Sequence, residues 1–182
     1  MKKPNLPFRY SSLPNSYTHA FSLSRDIDDE YMELISDLLK HDDKLGILKE
    51  TIHHSDITIY EHVRCVSYIS YKICKRLGLD YKAAARAGFL HDLVYYDWHD
   101  PDPAHKFHGY RHPGFAVKNA KELTMLTPLE ENIIHRHMWP LTPVPPKYKE
   151  AWVVTLVDKY CAAKETARKY QKQPSDYRGE QK

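Results

Sequence analysis

The amino-acid sequence predicts a single all-α domain, a helical bundle. Three observations carry that prediction: apolar residues recur at steps of three and four in successive segments, residues suited to helix ends bracket those segments, and no stretch shows the strict alternation of a strand. The 182 residues suffice for one core and are short for two. Apolar residues at 42% and charged residues at 28% match folded globular proteins, which excludes disorder for most of the length.

Residues 1–25 are rich in Pro, Ser, Asn and aromatics without a period, and read as an irregular arm carrying no legible chemistry; the domain occupies 26–170 and a polar tail 171–182. Asp26, Asp28, Asp29 and Glu30 precede Tyr31, Leu34, Ile35, Leu38 and Leu39, so acidic residues at the positive end of a helix lead into a first helix ending near His41. After a short segment with Ile47, Leu48 and Ile52, Thr58 opens a periodic stretch through Ile59, Val63, Val66, Ile69, Ile73 and Leu77, which Gly78 stops. Asp80 caps the next helix. Its small residues Ala83, Ala84, Ala85, Ala87 and Gly88 permit close approach to a neighbour, and it runs on to Leu90, His91 and Asp92 as the central buried helix.

Residues 93–111 lack a period and carry Tyr95, Tyr96, Trp98, His99, His105 and His108, which predicts a long loop of functional type. Pro113 is suited to the first helical position of a segment continuing through Ala116, Val117, Ala120 and Leu123. Thr127, Pro128 and Glu130 start another helix, which Pro140, Pro143, Pro145 and Pro146 end near Met138. A last helix from Lys147 to about Tyr170 carries Trp152, Val154, Leu156, Val157, Cys161 and Ala162.

Bulk properties exclude several function classes. The formal charge of +3 comes from interleaved signs, so charge does not imply a nucleic-acid partner. Cys65, Cys74 and Cys161 are odd in number and lack paired short spacing, which argues against a disulfide framework and suits a reducing cytoplasm. Residues Met1–Tyr10 contain Pro4 and Pro7 and no apolar stretch of export-signal length, and no apolar run approaches the roughly 18 residues of a membrane span. A cytoplasmic protein without a membrane partner is expected, and its oligomeric state is left open.

Histidine is the abnormal quantity, at twelve residues, more than packing needs. A single helical histidine is usually a satisfied or exposed residue, so position decides. His62 lies on the stripe with Val66, Ile69 and Ile73 and points inward. Asp158 follows Val154 by four and precedes Cys161 by three, which puts a carboxylate on an apolar face where it needs a positive partner or a metal. His137 shares a face with Ile133, Ile134 and Met138, whereas His135 lies roughly opposite. His91 and Asp92 diverge by about 100° as helical neighbours, so they could reach different sides of one metal, or the carboxylate could bridge two. His112, before Pro113, is expected to be extended at a helix mouth and free to reach into a pocket.

The segments YEHVRCVSYISYKICKRLGLD, RAGFLHDLVYYDW, GYRHPGFAVKNA, IIHRHMWPL and TLVDKYCA contain these residues in order, and over roughly residues 55–165 the chain resembles the two-metal form of the HD-domain superfamily. A bare His-Asp pair would be a weak signal; the whole series is specific. The resemblance implies an HD-domain bundle with His62, His91, Asp92 and Asp158 around one ion, and Asp92 bridging to a second ion held by His112 and His137. Asp92 and Asp158 are then the catalytic carboxylates.

The resemblance also implies two divalent ions, iron or manganese, with zinc, nickel and magnesium as alternatives compatible with imidazole and carboxylate donors. Two such ions and two aspartates leave a net charge of about +2, which favours an anionic substrate. Ions about 3.5–4 Å apart supply hydroxide near neutral pH and stabilise a transferring phosphoryl group. A phosphohydrolase acting on a nucleotide or another small phosphate ester through metal-held hydroxide is therefore expected. Two alternatives share the ligand set: an HD-type di-iron oxygenase and a non-catalytic ligand-binding module.

Four further residues are candidate substrate contacts. Lys159 is placed to meet a phosphate, with an exposed helical lysine as the plainer reading; Arg86 points either at the site or at solvent. His108 and Arg111, with Lys106, could supply phosphate contacts from the loop before His112. Tyr95, Tyr96 and Trp98 either wall a pocket or belong to the core, and Cys65 and Cys161 fill space beside proposed ligands. His53, His54, His99 and His105 are assigned no partner and are read as surface or loop residues.

Overall fold

A reciprocal cap and a left-handed glycine fix the ends of the helix against which the others pack. The Thr58 hydroxyl accepts from the backbone N–H of Glu61 (3.1 Å) while the Glu61 carboxylate accepts from the N–H of Thr58 (2.9 Å). At the other end Gly78 adopts φ 67°, a conformation costly for any residue with a Cβ.

The computed structural model describes Tyr17 and residues 27–54, 57–95 and 108–172. Its order is α1 (Asp29–Leu34), a 3-10 turn (Leu38–Lys40), α2 (Asp42–Glu50), β1 (Ile52–His54), β2 (Ile57–Thr58), α3 (Ile59–Leu77), α4 (Tyr81–Leu90), α5 (His108–Leu123), α6 (Pro128–Arg136) and α7 (Lys149–Lys172). The fold is all-α apart from the small antiparallel pair β1–β2, in which Ile52 faces Thr58 and His54 faces Ile57. None of the described helices is long and apolar enough to cross a membrane.

α3 and α4 meet at backbone distance. Ala84, Ala85 and Ala87 are fully buried, and a Cβ added at Gly88 would sit 3.0 Å from the Ser67 Cα. The Ser67 hydroxyl donates to the Ala85 carbonyl (2.6 Å) and accepts from the Tyr31 hydroxyl (2.9 Å), which ties α1 to the same seam. α7 covers the other side of α3 with Ala151, Val154 and Cys161, and α6 closes on α4 with Ile133 and Ile134, all fully buried.

Several sequence expectations are corrected. The first helix does not run to His41: it ends at Leu34, and Leu38 reaches the core from a 3-10 turn. The segment with Ile47 and Leu48 is a helix of its own that buries Leu45 and Leu48. The two strands are too short for an alternation to register. α5 begins at His108, so Pro113 stands inside the helix and His112 is helical instead of extended. Near the start of a helix a proline forfeits one early bond, here to the carbonyl of Gly109, instead of breaking a long ladder. Leu156 is 61% exposed and belongs to the outer face of α7. The expectations for the rest of the arm, for Tyr96, Trp98, His99, His105 and Lys106, and for the tail fall outside the described residues.

Gly88→Ala should force α3 and α4 apart, because the obstacle is backbone and cannot rotate away. A loss of roughly 1–3 kcal/mol is expected, read as a lower urea midpoint with an unchanged slope; an unaltered midpoint would show that the seam yields freely.

Candidate metal centre

Five helices deliver one cluster. His62 comes from the second turn of α3, His91 from the C-terminal cap of α4 with Asp92 directly after it, His112 from α5, His137 from the cap of α6, and Asp158 from α7. His62 and His91 are 0% exposed, His137 1%, His112 5% and Asp158 7%, so polar atoms meet where the sequence otherwise buries carbon. His135 lies on the exposed side of α6, opposite His137.

The two oxygens of Asp92 face different partners. Oδ2 lies 3.5 Å from His91 Nε2 and 3.9 Å from His62 Nε2, whereas Oδ1 lies 3.1 Å from His112 Nε2 and 3.4 Å from His137 Nε2. Asp158 Oδ1 completes the first group, 3.2 Å from His62 Nε2 and 3.7 Å from His91 Nε2. In the second group the Nε2 atoms of His112 and His137 are 2.8 Å apart. Two ligands on one ion with bonds of about 2.1 Å lie at most about 4.2 Å apart. Every one of these pairs falls inside that limit.

Outer partners set which ring nitrogen is free. Nδ1 of His91 donates to the Gly88 carbonyl (2.8 Å), Nδ1 of His137 to the Ile134 carbonyl (2.7 Å), and Nδ1 of His62 to Glu165 Oε1 (2.9 Å). Each acceptor takes the Nδ1 proton and turns an Nε2 lone pair to the centre, the arrangement of metal-binding imidazoles. His91 Nε2 is buried without a hydrogen-bond partner. A buried orphan lone pair is expensive unless a cation answers it, so the donor set fits a metal.

The HD-domain family model matches residues 59–163, more than half of the chain. The chain belongs to the HD-domain family. No curated protein and no solved structure gives a significant match.

The structure also brings to the cluster residues that the sequence does not single out, all of them outside residues 59–163. Glu165, fully buried on α7, accepts from Nδ1 of His62, from Nδ1 of His53 (3.1 Å) and from the hydroxyl of Tyr17 (2.6 Å). His53 is not a surface residue: its ring lies 4.1 Å from that of His62, and its Nε2 is 3.7 Å from Asp92 Oδ2. Tyr17 shows that the arm does contribute to the domain. Glu165 follows Asp158 by seven residues and Cys161 by four, so the helical period places it on the same face as Asp158. That spacing was readable. The pairing of His53 with Glu165 joins residues 112 apart in sequence and leaves no local signal.

Protonation follows from the same geometry. Burial alone would raise the carboxyl of Asp92, yet His91, His112 and His137 hold it well below the usual range; His62 and His91 do the same for Asp158. Burial likewise opposes ionisation of Glu165, but its bonds from His53 and His62 lower it to about 2. Burial should lower His62 too, and the carboxylates of Asp158 and Glu165 reverse this and raise it to about 10. His137 stays below the ordinary histidine value because of burial. The field that attracts a proton to His62 is the field that attracts a metal cation.

Of the candidate substrate contacts, Lys159 alone reaches the cleft in the described structure. Its Nζ donates to the His137 carbonyl (3.0 Å), lies 3.5 Å from Asp158 Oδ2, and remains 38% exposed. Arg86 is elsewhere: it donates to both oxygens of Asp37 (2.6 and 2.9 Å), to the Leu34 carbonyl and to the Thr124 hydroxyl, and it flanks Glu130. Five residues along a helix turn a side chain about 140° away, which takes Arg86 off the face of His91. Arg111 is exposed with its guanidinium over the Phe115 ring (5.2 Å), about 100° around α5 from His112. The His108 side chain falls outside the described residues. Cys65 and Cys161 are buried beside the cluster, as expected of space-filling groups.

A raised His62 links metal and proton. Stripped of metal, the protein gains stability from protonated His62 that is complete below about pH 6.5 and is lost as pH rises towards about 10, because the folded pKa exceeds the unfolded one. Manganese uptake should therefore release protons and tighten as pH rises towards about 10, where His62 loses its proton. Calorimetry in buffers of different ionisation enthalpy measures the protons; uptake that is pH-independent and releases none would contradict the assignment.

Proposed function

We propose that this HD domain is a metal-dependent phosphohydrolase acting on a nucleotide or another small phosphate ester at a binuclear centre. The observation that supports this best is the division of Asp92, one oxygen towards His62 and His91 and the other towards His112 and His137. A carboxylate so placed could be shared by two cations. His62, His91, Asp92 and Asp158 would hold one ion, and Asp92, His112 and His137 the other, with iron or manganese suited to the mixed donors. When bound, two such ions polarise a phosphoryl oxygen and provide a nucleophile near neutral pH.

The rest of the reaction is the work of side chains. Glu165 brings a third carboxylate to the cluster, so two divalent ions there would leave a net charge of about +1, and the Lys159 ammonium restores about +2 at the cleft. That field selects an anion. Lys159, anchored to the His137 carbonyl, directs its free donors to the phosphate. Ile59, Val94 and Met138 supply the apolar part of the cleft lining, which would exclude water from the ester. The cleft of about 270 Å³ is at the small end of ligand pockets and suits a small molecule.

Manganese- or iron-loaded protein should release phosphate from some member of a panel of nucleotides and other phosphate esters, and should do so without oxygen. Asp92→Ala should lose activity by at least about 10²-fold. Lys159→Ala should lower kcat/KM by about 10–100-fold, the loss of one charge-assisted contact. Wild type and Asp92→Ala equally inactive across the panel would sink the proposal, and strict oxygen dependence would transfer the chain to the di-iron oxygenase reading.

A further inference from the structure

We propose that His53, supplied by β1 and oriented by Glu165, is a further protein ligand of the first metal ion, the one between His62, His91, Asp92 and Asp158. The inference rests on the metal-centre reading above and adds a donor that lies outside the matched HD segment, residues 59–163.

His53 and His62 are held alike. Each donates from Nδ1 to the same carboxylate, His62 to Glu165 Oε1 at 2.9 Å and His53 to Glu165 Oε2 at 3.1 Å. Their rings lie 4.1 Å apart with only 34° between planes, so the two Nε2 atoms point the same way. Both face one atom: Asp92 Oδ2 is 3.9 Å from His62 Nε2 and 3.7 Å from His53 Nε2. The donor atoms of His53, His62 and Asp92 all fall within 4.8 Å of one another. With the Nδ1 proton committed to Glu165, His53 turns a lone pair towards an ionised carboxylate oxygen. That separation is below the roughly 4.2 Å limit for two donors on one ion, so the two atoms can share a cation.

The outer shell is built to hold this pair. Glu165 is completely buried, which is costly for a carboxylate, and its oxygens are occupied by the two histidines and by the Tyr17 hydroxyl. Such outer carboxylates fix tautomer and ring orientation and make the imidazole a better donor. Tyr17, His53 and Glu165 all flank the matched segment, so the chain frames the HD core with its own orienting set. β1 is joined to α3 through the β2 hairpin, and the hairpin carries His53 back over His62.

The consequence is asymmetry. Among the described residues, the first ion would gain His53 beside His62, His91, Asp92 and Asp158, while the second would have Asp92, His112 and His137. Open positions then concentrate on the second ion, next to Lys159, and a phosphate oxygen docks there.

Cadmium-113 tests the bond directly. Metal-stripped full-length protein is loaded with this isotope, and scalar coupling from cadmium to imidazole ring protons is recorded by NMR, the His53 ring being assigned in the wild type through its contact with His62. The expected result is coupling of His53, His62 and His91 to one cadmium resonance and of His112 and His137 to another. His53→Gln should then remove the His53 coupling and shift the first resonance alone. Because the wild-type spectrum decides by itself, a variant that fails to fold leaves the test intact. If His62 and His91 couple and His53 does not, or if His53 couples to the second cadmium, the inference is overturned while the metal centre stands. If no histidine couples, the metal-centre reading fails with it.

Discussion

Carboxylates buried among imidazoles set the terms for the whole domain. Asp158 and Glu165 on α7 and Asp92 after α4 are taken largely out of water, and a buried anion is tolerated only when donors and positive charge surround it. His53, His62, His91 and His137 answer that demand, each with Nδ1 turned outward to a fixed acceptor. Remove the inward charge and the cluster must take up protons, as the raised His62 shows. The fold thus brings together a group of donors that could hold a cation.

The scaffold gives that demand a rigid frame. His62 is held on a helix capped at Thr58 and stopped at Gly78, and α4 lies so close to it that a Cβ at residue 88 would crowd the Ser67 backbone. His91 and His137 occupy equivalent positions, each capping its helix and each donating to a carbonyl three residues back. A helix end leaves carbonyls without intrahelical partners, and here those carbonyls orient the imidazoles. The same backbone feature that ends the helices therefore prepares the site. Arg86 serves the frame instead of the site, joining the turn after α1 to α5 and α6 through Asp37, Thr124 and Glu130.

Much of this was legible residue by residue. Thr58, Gly78, Asp80 and Thr127 announced helix ends because caps act locally, and the apolar period oriented His62, His137 and Asp158 because a helix converts spacing into direction. The reading failed where a weak local signal met a strong distant one. Pro113 suits a helix start although the chain enters the helix at His108, and Asp42–Glu50 lacks the clean apolar stripe that would mark it as a helix. Glu165 stands seven residues from Asp158 on the same face, a spacing less conspicuous than the series of histidines.

The amino-acid sequence by itself determined the helical class, the HD-type series of histidines and aspartates, and the inward direction of those on clear helical stripes, since each depends on neighbours within a turn or two. Tertiary structure alone decided that Asp92 divides its oxygens between two groups, that Glu165 unites His53, His62 and Tyr17, and that Arg86 turns away from the centre. Those outcomes depend on angles between helices and on contacts as far as 148 residues apart. Periodicity tells which way a side chain leaves its helix, and only packing tells what it meets.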